Sequence, residues 1–383
     1  MPRLLAVCTL PPWPVRDGYS LRVANLLRRL AWRWDVTLLA PGDPPPGVAR
    51  HVRLALEGPG LSYPWRFDNR PLAAALAALL PDARPDRALV WPGAEDAWLH
   101  AAFPVPAVFD MIDCNAREFW TEARAARSAS WGVSWGAPWG RDRLRPAWEA
   151  VLAALGARRA VRGFAAVACA GGADAAWAAR LGGRPVHTVP NGVALPDAAG
   201  APDTRPTVIF AGTLDYAPNV DAVAWAADDI WPRIRDALPD ARWVIAGRRP
   251  TAAVRALDGR DGVEVRGDVP DMMGELHAAW VALAPMRTGV GIKNKVLEAW
   301  ACARPVVMTR RATNGLVLPP GHAGLVQDGA AGFAEAAAGL LRDGAGRRRL
   351  GRAARAMAAR EFTWDGAAGR MDGLLRRAGA GGK

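Results

Sequence analysis

The chain has 383 residues, enough for two ordinary domains, and 51% of them are apolar, which excludes a disordered polymer. Lys and Arg number 49 against 37 acidic residues, and the resulting formal charge of +12 favours anionic partners such as phosphates, acidic lipid or nucleic acid. Long Lys/Arg runs, zinc-finger spacing and an aromatic RNA-binding pattern are absent, which argues against nucleic acid, and no stretch approaches the ~20 apolar residues of a membrane span.

Along the chain, Arg3 to Leu10 reads as a buried strand and a Pro/Gly loop follows to Gly18. Val23, Leu27, Leu30 and Trp34 then give the inner face of a helix from Ser20 to about Arg33. Val36 to Ala40 is the next strand. The apolar runs Ala88 to Trp91 and Ala107 to Ile112 alternate with Ala/Leu-rich helices, the βαβ rhythm of a parallel sheet. Ala165 to Ala170 and His187 to Val189 close this half. The opening apolar run, Leu4 to Leu10, stops at Pro11-Pro12 and is too short for the core of a secretion signal. The four scattered cysteines, Cys8, Cys114, Cys169 and Cys302, fit reduced thiols better than a disulfide or zinc framework. Both features lead to the expectation of a cytoplasmic protein, with peripheral membrane contact left open.

A stretch rich in Pro, Ala, Gly and Asp interrupts the pattern, which restarts with the strand Thr207 to Ala211 and a helix from Asn219 to Leu238. Strands follow at Arg242 to Ala246, Val263 to Arg266 and Val281 to Ala284, then a helix from Ile292 to Ala303 and a strand from Pro305 to Thr309. Ala331 to Leu341 and Arg347 to Arg360 are expected helices, and Phe362-Thr363-Trp364 introduces a last one. The expected class is α/β. A first domain covers 1–195, a linker 196–206 and a second domain 207–360, and a C-terminal helix within 361–383 packs back on the first domain. Two Rossmann-like sheets facing across a cleft are the expectation.

The sharpest local signal runs from Arg287 to Trp300. A strand ends at Pro285, a Gly-containing loop follows, and a helix begins near Ile292, so free backbone N–H groups point to the carboxyl end of the sheet, a ready anion site. Only three of the 49 cations are lysines, and two of those, Lys293 and Lys295, sit in the first helical turn. A cation there opposes the helix dipole at a cost of about 0.3 to 1 kcal/mol. A compensating anion is therefore expected, and with Arg287 just upstream a diphosphate is the economical guess. Glu298 lies about one turn beyond Lys295, where a carboxylate can accept hydrogen bonds from both hydroxyls of a ribose. The plainer alternative is a surface pair between Lys295 and Glu298.

This segment resembles the donor-binding motif of family 4 retaining glycosyltransferases, which have the GT-B fold. "GIKNKVLEAWACARPVVMT" is similar to their helix and following strand, and the likeness extends to "VPNGV", "VIFAGTLDYAPNVDAVAWAADDIWP", "WVIAGRRP", "VEVRGDVPDM", "VALAPMR" and "FTWDGAAGRMDGLL". Order and spacing agree over roughly residues 187–375. The loop "RDGYSLRVANLLRRLA" is similar to that of the exopolysaccharide-associated subgroup of sugar transferases. The resemblance implies transfer of a sugar from a nucleoside-diphosphate sugar to a hydroxyl of a saccharide, glycolipid or natural product. It also implies retention of anomeric configuration and no obligatory metal or other cofactor.

By the same resemblance the nucleotide sits against the C-terminal domain. Glu298 would hold the ribose, Arg287 and Lys295 would act on the diphosphate, and Gly212, Thr213, Gly247, Gly267 and Val269 would line the donor. Lys293 is either a further donor contact or a solvent-facing residue. Many members carry a first glutamate where this chain has Val290, so contacts to the sugar fall to the backbone at Thr288, Gly289, Val290 and Gly291. Many also carry a lysine where this chain has Pro218-Asn219.

In the N-terminal half, Gly18 resembles a glycine that lets a loop approach the donor phosphate, or is a turn glycine. Arg22 is a third phosphate or acceptor contact, or a solvated helix residue. Asp110, Asp113 and Asn115 lie where relatives place acceptor-binding or catalytic residues, and Asp113 would orient or help deprotonate the acceptor hydroxyl. A helix N-cap at Asp113 or Asn115 is the alternative. Trp131, Trp135 and Trp139 repeat at intervals of four, with Trp135 the candidate acceptor contact; a membrane-interface belt and a packed core corner are the other readings. Two further classes stay open, a sugar-nucleotide epimerase and a non-catalytic nucleotide-sugar-binding partner subunit.

Overall fold

Short strands of Val, Leu and Ala, each followed by a longer segment with a helical apolar face, can close their ladders only as parallel sheets with helical crossovers. The computed structural model describes residues 1–54, 70–91, 103–117, 119–120, 145–197, 202–289 and 291–379. It divides into two units, Met1–Pro190 with Ala367–Lys383, and Asn191–Gly366.

Unit 1 runs β1 (Arg3–Cys8), α1 (Gly18–Leu30), β2 (Asp35–Ala40), β3 (Arg50–Arg53), α2 (Arg70–Ala83), β4 (Arg87–Trp91), β5 (Ala107–Ile112), α3 (Arg145–Gly163), β6 (Ala166–Cys169), α4 (Gly172–Gly182) and β7 (His187–Thr188). Its parallel sheet has the order β3-β2-β1-β4-β5-β6-β7, so the winding reverses between β1 and β4. Helix α1 starts earlier than its apolar face suggests because Asp17 caps it: the Asp17 carboxylate accepts from the Ser20 amide at 2.8 Å while the Ser20 hydroxyl accepts from the Asp17 amide at 3.0 Å. Strand β3, Arg-His-Val-Arg, was not anticipated; a polar edge strand has no apolar signature to read.

Unit 2 runs β8 (Thr207–Ala211), α5 (Ala217–Trp225), a π-helical turn (Ala226–Ile230), α6 (Trp231–Ala237), β9 (Arg242–Gly247), α7 (Ala252–Arg255), β10 (Val263–Gly267), α8 (Met272–Ala278), β11 (Val281–Ala284), α9 (Asn294–Ala301), β12 (Val306–Met308), α10 (Ala330–Arg342), α11 (Gly344–Glu361) and the start of α12 (Trp364–Arg377). The single helix expected over Asn219 to Leu238 is divided by the wide π turn, which directly precedes Pro232, a residue with no N–H to give to a regular helix. The parallel sheet has the order β10-β9-β8-β11-β12 and its winding reverses between β8 and β11.

The unit boundary at Pro190/Asn191 falls ahead of residue 195 because the following residues bond within unit 2. The Val193 amide donates to the Phe362 carbonyl at 2.8 Å, Val193 bridges Thr363, and Arg355 Nη2 reaches the Pro196 carbonyl at 2.5 Å. Helix α12 enters unit 1 after Gly366. There the Asp372 carboxylate accepts from Trp34 Nε1 at 2.8 Å, Arg33 at 3.1 Å and Arg376 at 2.9 Å, and Met371 and Leu375 are fully buried. All four cysteines are buried free thiols, and burial pushes Cys8 up to about 12 and Cys114 to about 11. Among the described residues no helix is long and apolar enough to cross a membrane.

Candidate functional site

An open parallel sheet leaves a natural ligand position at the carboxyl ends of the strands where its winding reverses. In unit 2 that position is formed by the β8–α5 loop and the β11–α9 loop, and it gathers most of the described donor-side residues expected from sequence. Helix α9 begins at Asn294, two residues later than expected, with Lys293 at its N-cap position and no side-chain cap.

Lys295 Nζ donates to Asn219 Oδ1 at 2.7 Å, lies 3.8 Å from Met286 Sδ and sits 3.9 Å from the centroid of the buried Phe210 ring. The Asn219 amide has a determined orientation, because its Nδ2 donates to the Thr213 carbonyl at 2.8 Å. No carboxylate comes within ion-pair distance of Lys295 among the described residues. Burial, reinforced by the charge of Lys293, pushes the Lys295 ammonium down to about 7, with Glu298 acting in the opposite sense. Lys293 is 8% exposed and its Nζ donates to the Gly291 carbonyl at 3.3 Å, so it is not the solvated lysine of the plainer reading.

Glu298 is half-buried one turn along α9, and burial raises its carboxyl above the usual range while Lys295 opposes the shift. The surface pair considered from sequence is not formed, because Lys295 turns to Asn219 and Glu298 makes no side-chain hydrogen bond among the described residues.

Arg287 is exposed and already paired. Its Nε and Nη2 donate to the two oxygens of Asp221 at 3.2 and 2.5 Å, and its guanidinium carbon lies 5.5 Å from the Trp225 ring centroid. Asn219, Asp221 and Trp225 all belong to α5, so one short helix holds both cations. Asn219 stands where a lysine was expected from the resemblance, and the residue read as an omission is the group that orients Lys295. Thr288 is exposed, Gly289 packs toward Pro218, Gly291 is buried, and Val290 lies outside the described residues.

Glycine is required where two loops cross. A Cβ on Gly212 would stand 2.9 Å from Asn219 Nδ2 and 3.0 Å from Lys295 Nζ, and one on Gly247 would stand 1.6 Å from the Gly212 carbonyl oxygen. Gly247→Ala is therefore expected to push the Gly212 turn off Lys295 and to lower the melting temperature, whereas Gly339→Ala, in open space on α10, leaves it unchanged or raises it slightly; thermal melting of both variants is the check.

Gly267 ends β10 and is exposed, and Val269 is half-buried just beyond. The loops here are tied by Asp215, whose carboxylate takes Arg249 at 2.6 and 3.1 Å, and by Asp268, whose side chain accepts from the Arg249 amide at 3.0 Å. Hydrogen bonding from Arg249 holds the Asp215 carboxyl below its usual range.

In unit 1 the residues considered for the acceptor side separate. Arg22 and Asp110 require correction: both are 0% exposed and bound to each other, Nε to Oδ2 at 2.8 Å and Nη2 to Oδ1 at 2.9 Å, with Trp91 Nε1 donating to the same carboxylate at 2.7 Å. A fully buried bidentate pair offers no edge to a substrate. Asp113 and Asn115 are half-buried in the turn after β5, where Ile112 takes φ +63 and the register with β6 shifts. A β-branched residue in the left-handed region is strained by roughly 1 to 3 kcal/mol, a cost that concentrates at functional turns. Gly18 is exposed as the first residue of α1, and Trp131, Trp135 and Trp139 lie outside the described residues. Among the described residues no group of three or more His, Cys, Asp and Glu side chains is placed to hold a metal.

Residues 205–343 match the family model described as glycosyl transferases group 1. Sucrose-phosphate synthase from Thermosynechococcus elongatus superposes with a TM-score of 0.70 at 18% identity, covering 100% of both chains. WaaG, a glycosyltransferase involved in lipopolysaccharide biosynthesis, gives 0.63 at 14% identity over 99% of this chain and 100% of its own. The chain has the GT-B fold. The match to the group 1 glycosyl transferase model lies within its second unit. Anabaena HepE in complex with UDP and glucose gives a TM-score of 0.64 at 12% identity, covering 98% of this chain and 100% of its own. No curated protein sequence gives a significant match.

Proposed function

We propose that the chain is a nucleotide-sugar-dependent glycosyltransferase of the family 4 type, related to the exopolysaccharide-associated subgroup. In this reading unit 2 holds a nucleoside-diphosphate sugar and the sugar passes to an acceptor hydroxyl with retention of configuration. Lys295 carries the reading: a half-buried cation with amide, sulfur and ring neighbours and, among the described residues, no carboxylate within ion-pair distance, at the switch point of a parallel sheet. A diphosphate supplies the missing anion and restores the ammonium to its charged form. The family match over 205–343 supports transfer chemistry, and the UDP and glucose in the HepE complex support a donor of the UDP-sugar kind.

In the transfer, the bond from the sugar anomeric carbon to the distal phosphate oxygen breaks and its electron pair leaves with the nucleoside diphosphate. The acceptor oxygen bonds to the anomeric carbon on the same face and its proton passes to the departing phosphate oxygen. Lys295 and the Arg287 edge not engaged by Asp221 stabilise the growing negative charge, so fixed cations do the work otherwise given to a metal ion. Lys293, Gly212, Thr213, Gly247, Gly267, Val269 and the 288–291 loop line the donor, and Glu298 accepts from the ribose hydroxyls. Gly18 lets its loop approach the donor phosphate, and Asp113, with Asn115, is the unit 1 candidate for acceptor orientation. A cytoplasmic saccharide or lipid-linked saccharide fits as acceptor.

UDP, GDP, ADP and TDP, each added with a chelator present, provide the test. At least one is expected to raise the melting temperature, and Glu298→Ala weakens that ligand by about 1 to 3 kcal/mol, the loss of charged hydrogen bonds. Unchanged affinity in the variant removes the ribose assignment, and no shift with any nucleotide removes the donor site. Release of nucleoside diphosphate from the sugar nucleotide on adding acceptor separates a transferase from an epimerase or a binding subunit.

A further inference from the structure

Eight large apolar side chains are exposed among the described residues, and three of them, Trp148 at 59%, Val151 at 45% and Leu155 at 57%, fall on one face of α3. Scattered exposed apolar residues are ordinary; a row of them on one helix is not. The spacing of three and four residues continues to Arg158 and Arg162, so the outward stripe of α3 is apolar in its first half and cationic in its second, about 20 Å long at the usual helical rise. The opposite face, including Ala150, Ala157, Ala160 and Val161, is buried against unit 1, so the outward face is not a core face left over.

Among the described residues the charge along the second half of the stripe is positive. Arg180 at the end of α4 and Arg184 beyond it lie beside the C-terminal end of α3: Arg162 Nε donates to the Gly182 carbonyl at 3.1 Å, and Arg184 Nη1 to the carbonyls of Val161, Arg162 and Phe164 at 3.2 to 3.3 Å. These carbonyls fix the guanidinium groups in place without neutralising them. Arg158, Arg162, Arg180 and Arg184 make no ion pair with an acidic side chain among the described residues, and Asp174 of α4 is turned inward to Arg117 at 3.1 Å. Glu149 lies on the flank of α3, off the stripe.

We propose that this face of α3 docks on an anionic bilayer, with Trp148, Val151 and Leu155 entering the interfacial region and Arg158, Arg162, Arg180 and Arg184 meeting acidic headgroups. Charge selects the occupant. A second copy of the chain would bring four arginines against four across a two-fold axis. A single convex helix offers no groove for a partner peptide, whereas a bilayer accepts a ridge without matching its shape, with an aromatic side chain favoured at the interface.

Co-sedimentation of the full chain with vesicles at about 0.1 M salt tests this, using phosphatidylcholine alone and phosphatidylcholine with about one quarter phosphatidylglycerol. The chain is expected to partition onto the anionic vesicles and not the neutral ones. Each surface arginine adds about fivefold in partitioning, so Arg158→Gln with Arg162→Gln lowers it about 30-fold. Trp148→Gln with Leu155→Gln lowers it at least tenfold. Arg348→Gln with Arg349→Gln, an equal loss of charge on exposed residues of α11, changes it less than threefold. Equal losses in all three variants would reduce the effect to net charge and overturn the proposal. So would a dimer in light scattering that the Trp148/Leu155 variant dissolves, or a fall in its melting temperature, since either means that the face is already covered. Vesicle binding is read without turnover, so its outcome is independent of the glycosyltransferase reading.

Discussion

Lys295→Ala is expected to weaken nucleoside diphosphate binding by about 10- to 150-fold, the value of a charged hydrogen bond of about 1.5 to 3 kcal/mol. It is expected to lower turnover further, by about 100- to 1000-fold, if the same ammonium meets the departing phosphate as its charge grows. The pH dependence is more specific than the loss. Burial lowers the Lys295 ammonium from 10.5 to about 7 in the free protein, so above neutrality the site is increasingly a neutral amine. A bound diphosphate restores the charge, so at pH 8 binding takes up a proton and affinity falls as pH rises through 7, approaching tenfold per pH unit at its steepest. The linkage to folding runs the other way: between about 7 and 10.5 the unfolded chain holds a proton that the folded chain does not, so Lys295 makes the unliganded fold more stable as pH rises across that window. Titration calorimetry in buffers of different ionisation enthalpy reads the proton directly. Proton-free binding at pH 8, or the same uptake in Lys295→Ala, would show that another group is responsible.

Asp110→Ala is expected to cost unit 1 about 3 to 5 kcal/mol, because it leaves the Arg22 guanidinium buried without a counter-charge and takes from Trp91 Nε1 its acceptor. For a unit of this size that corresponds to a fall in melting temperature of about 10 °C. Replacing both charged residues by leucine is expected to recover much of the loss, since an apolar pair avoids the desolvation that an orphaned charge imposes. Calorimetric melting of the single and double variants is the measurement. A single variant that melts with the wild type would mean that the pair is solvated and available to substrate after all.

The sequence made Lys295 and Glu298 conspicuous because lysine is scarce in this chain and cations at a helix start need an explanation. It could not show what holds them. Asn219 and Asp221 stand 76 and 66 positions from the cations they orient, and their helix carries no charge pattern that points to α9 or its loop. Asn219 even read as a missing lysine, since a short amide has no sequence signature as a clamp. Arg22 and Asp110 resisted reading for a related reason: a charged side chain in the first turns of a helix or near the end of a strand suggests solvent or ligand until its partner is known. Signals were present, as Arg22 lies one turn before the buried Leu26, and Asp110 interrupts an otherwise apolar strand. Most strands of both sheets were legible because they are runs of apolar residues, and the polar β3 was not for the same reason.

The docking of α12 onto Trp34 and Arg33 through Asp372 sets an order of assembly. Asn191–Gly366 is an insertion between two pieces of unit 1, and its own ends meet at the bridge between Val193 and Thr363. As the ribosome releases the chain, this inserted lobe has all of its strands before the N-terminal lobe receives its closing helix. Until then Trp34 lacks its acceptor, and the pocket that Met371 and Leu375 will fill stays open to water. Truncation inside α12 therefore harms the lobe made first, and chaperone dependence is expected to track the emergence of that helix.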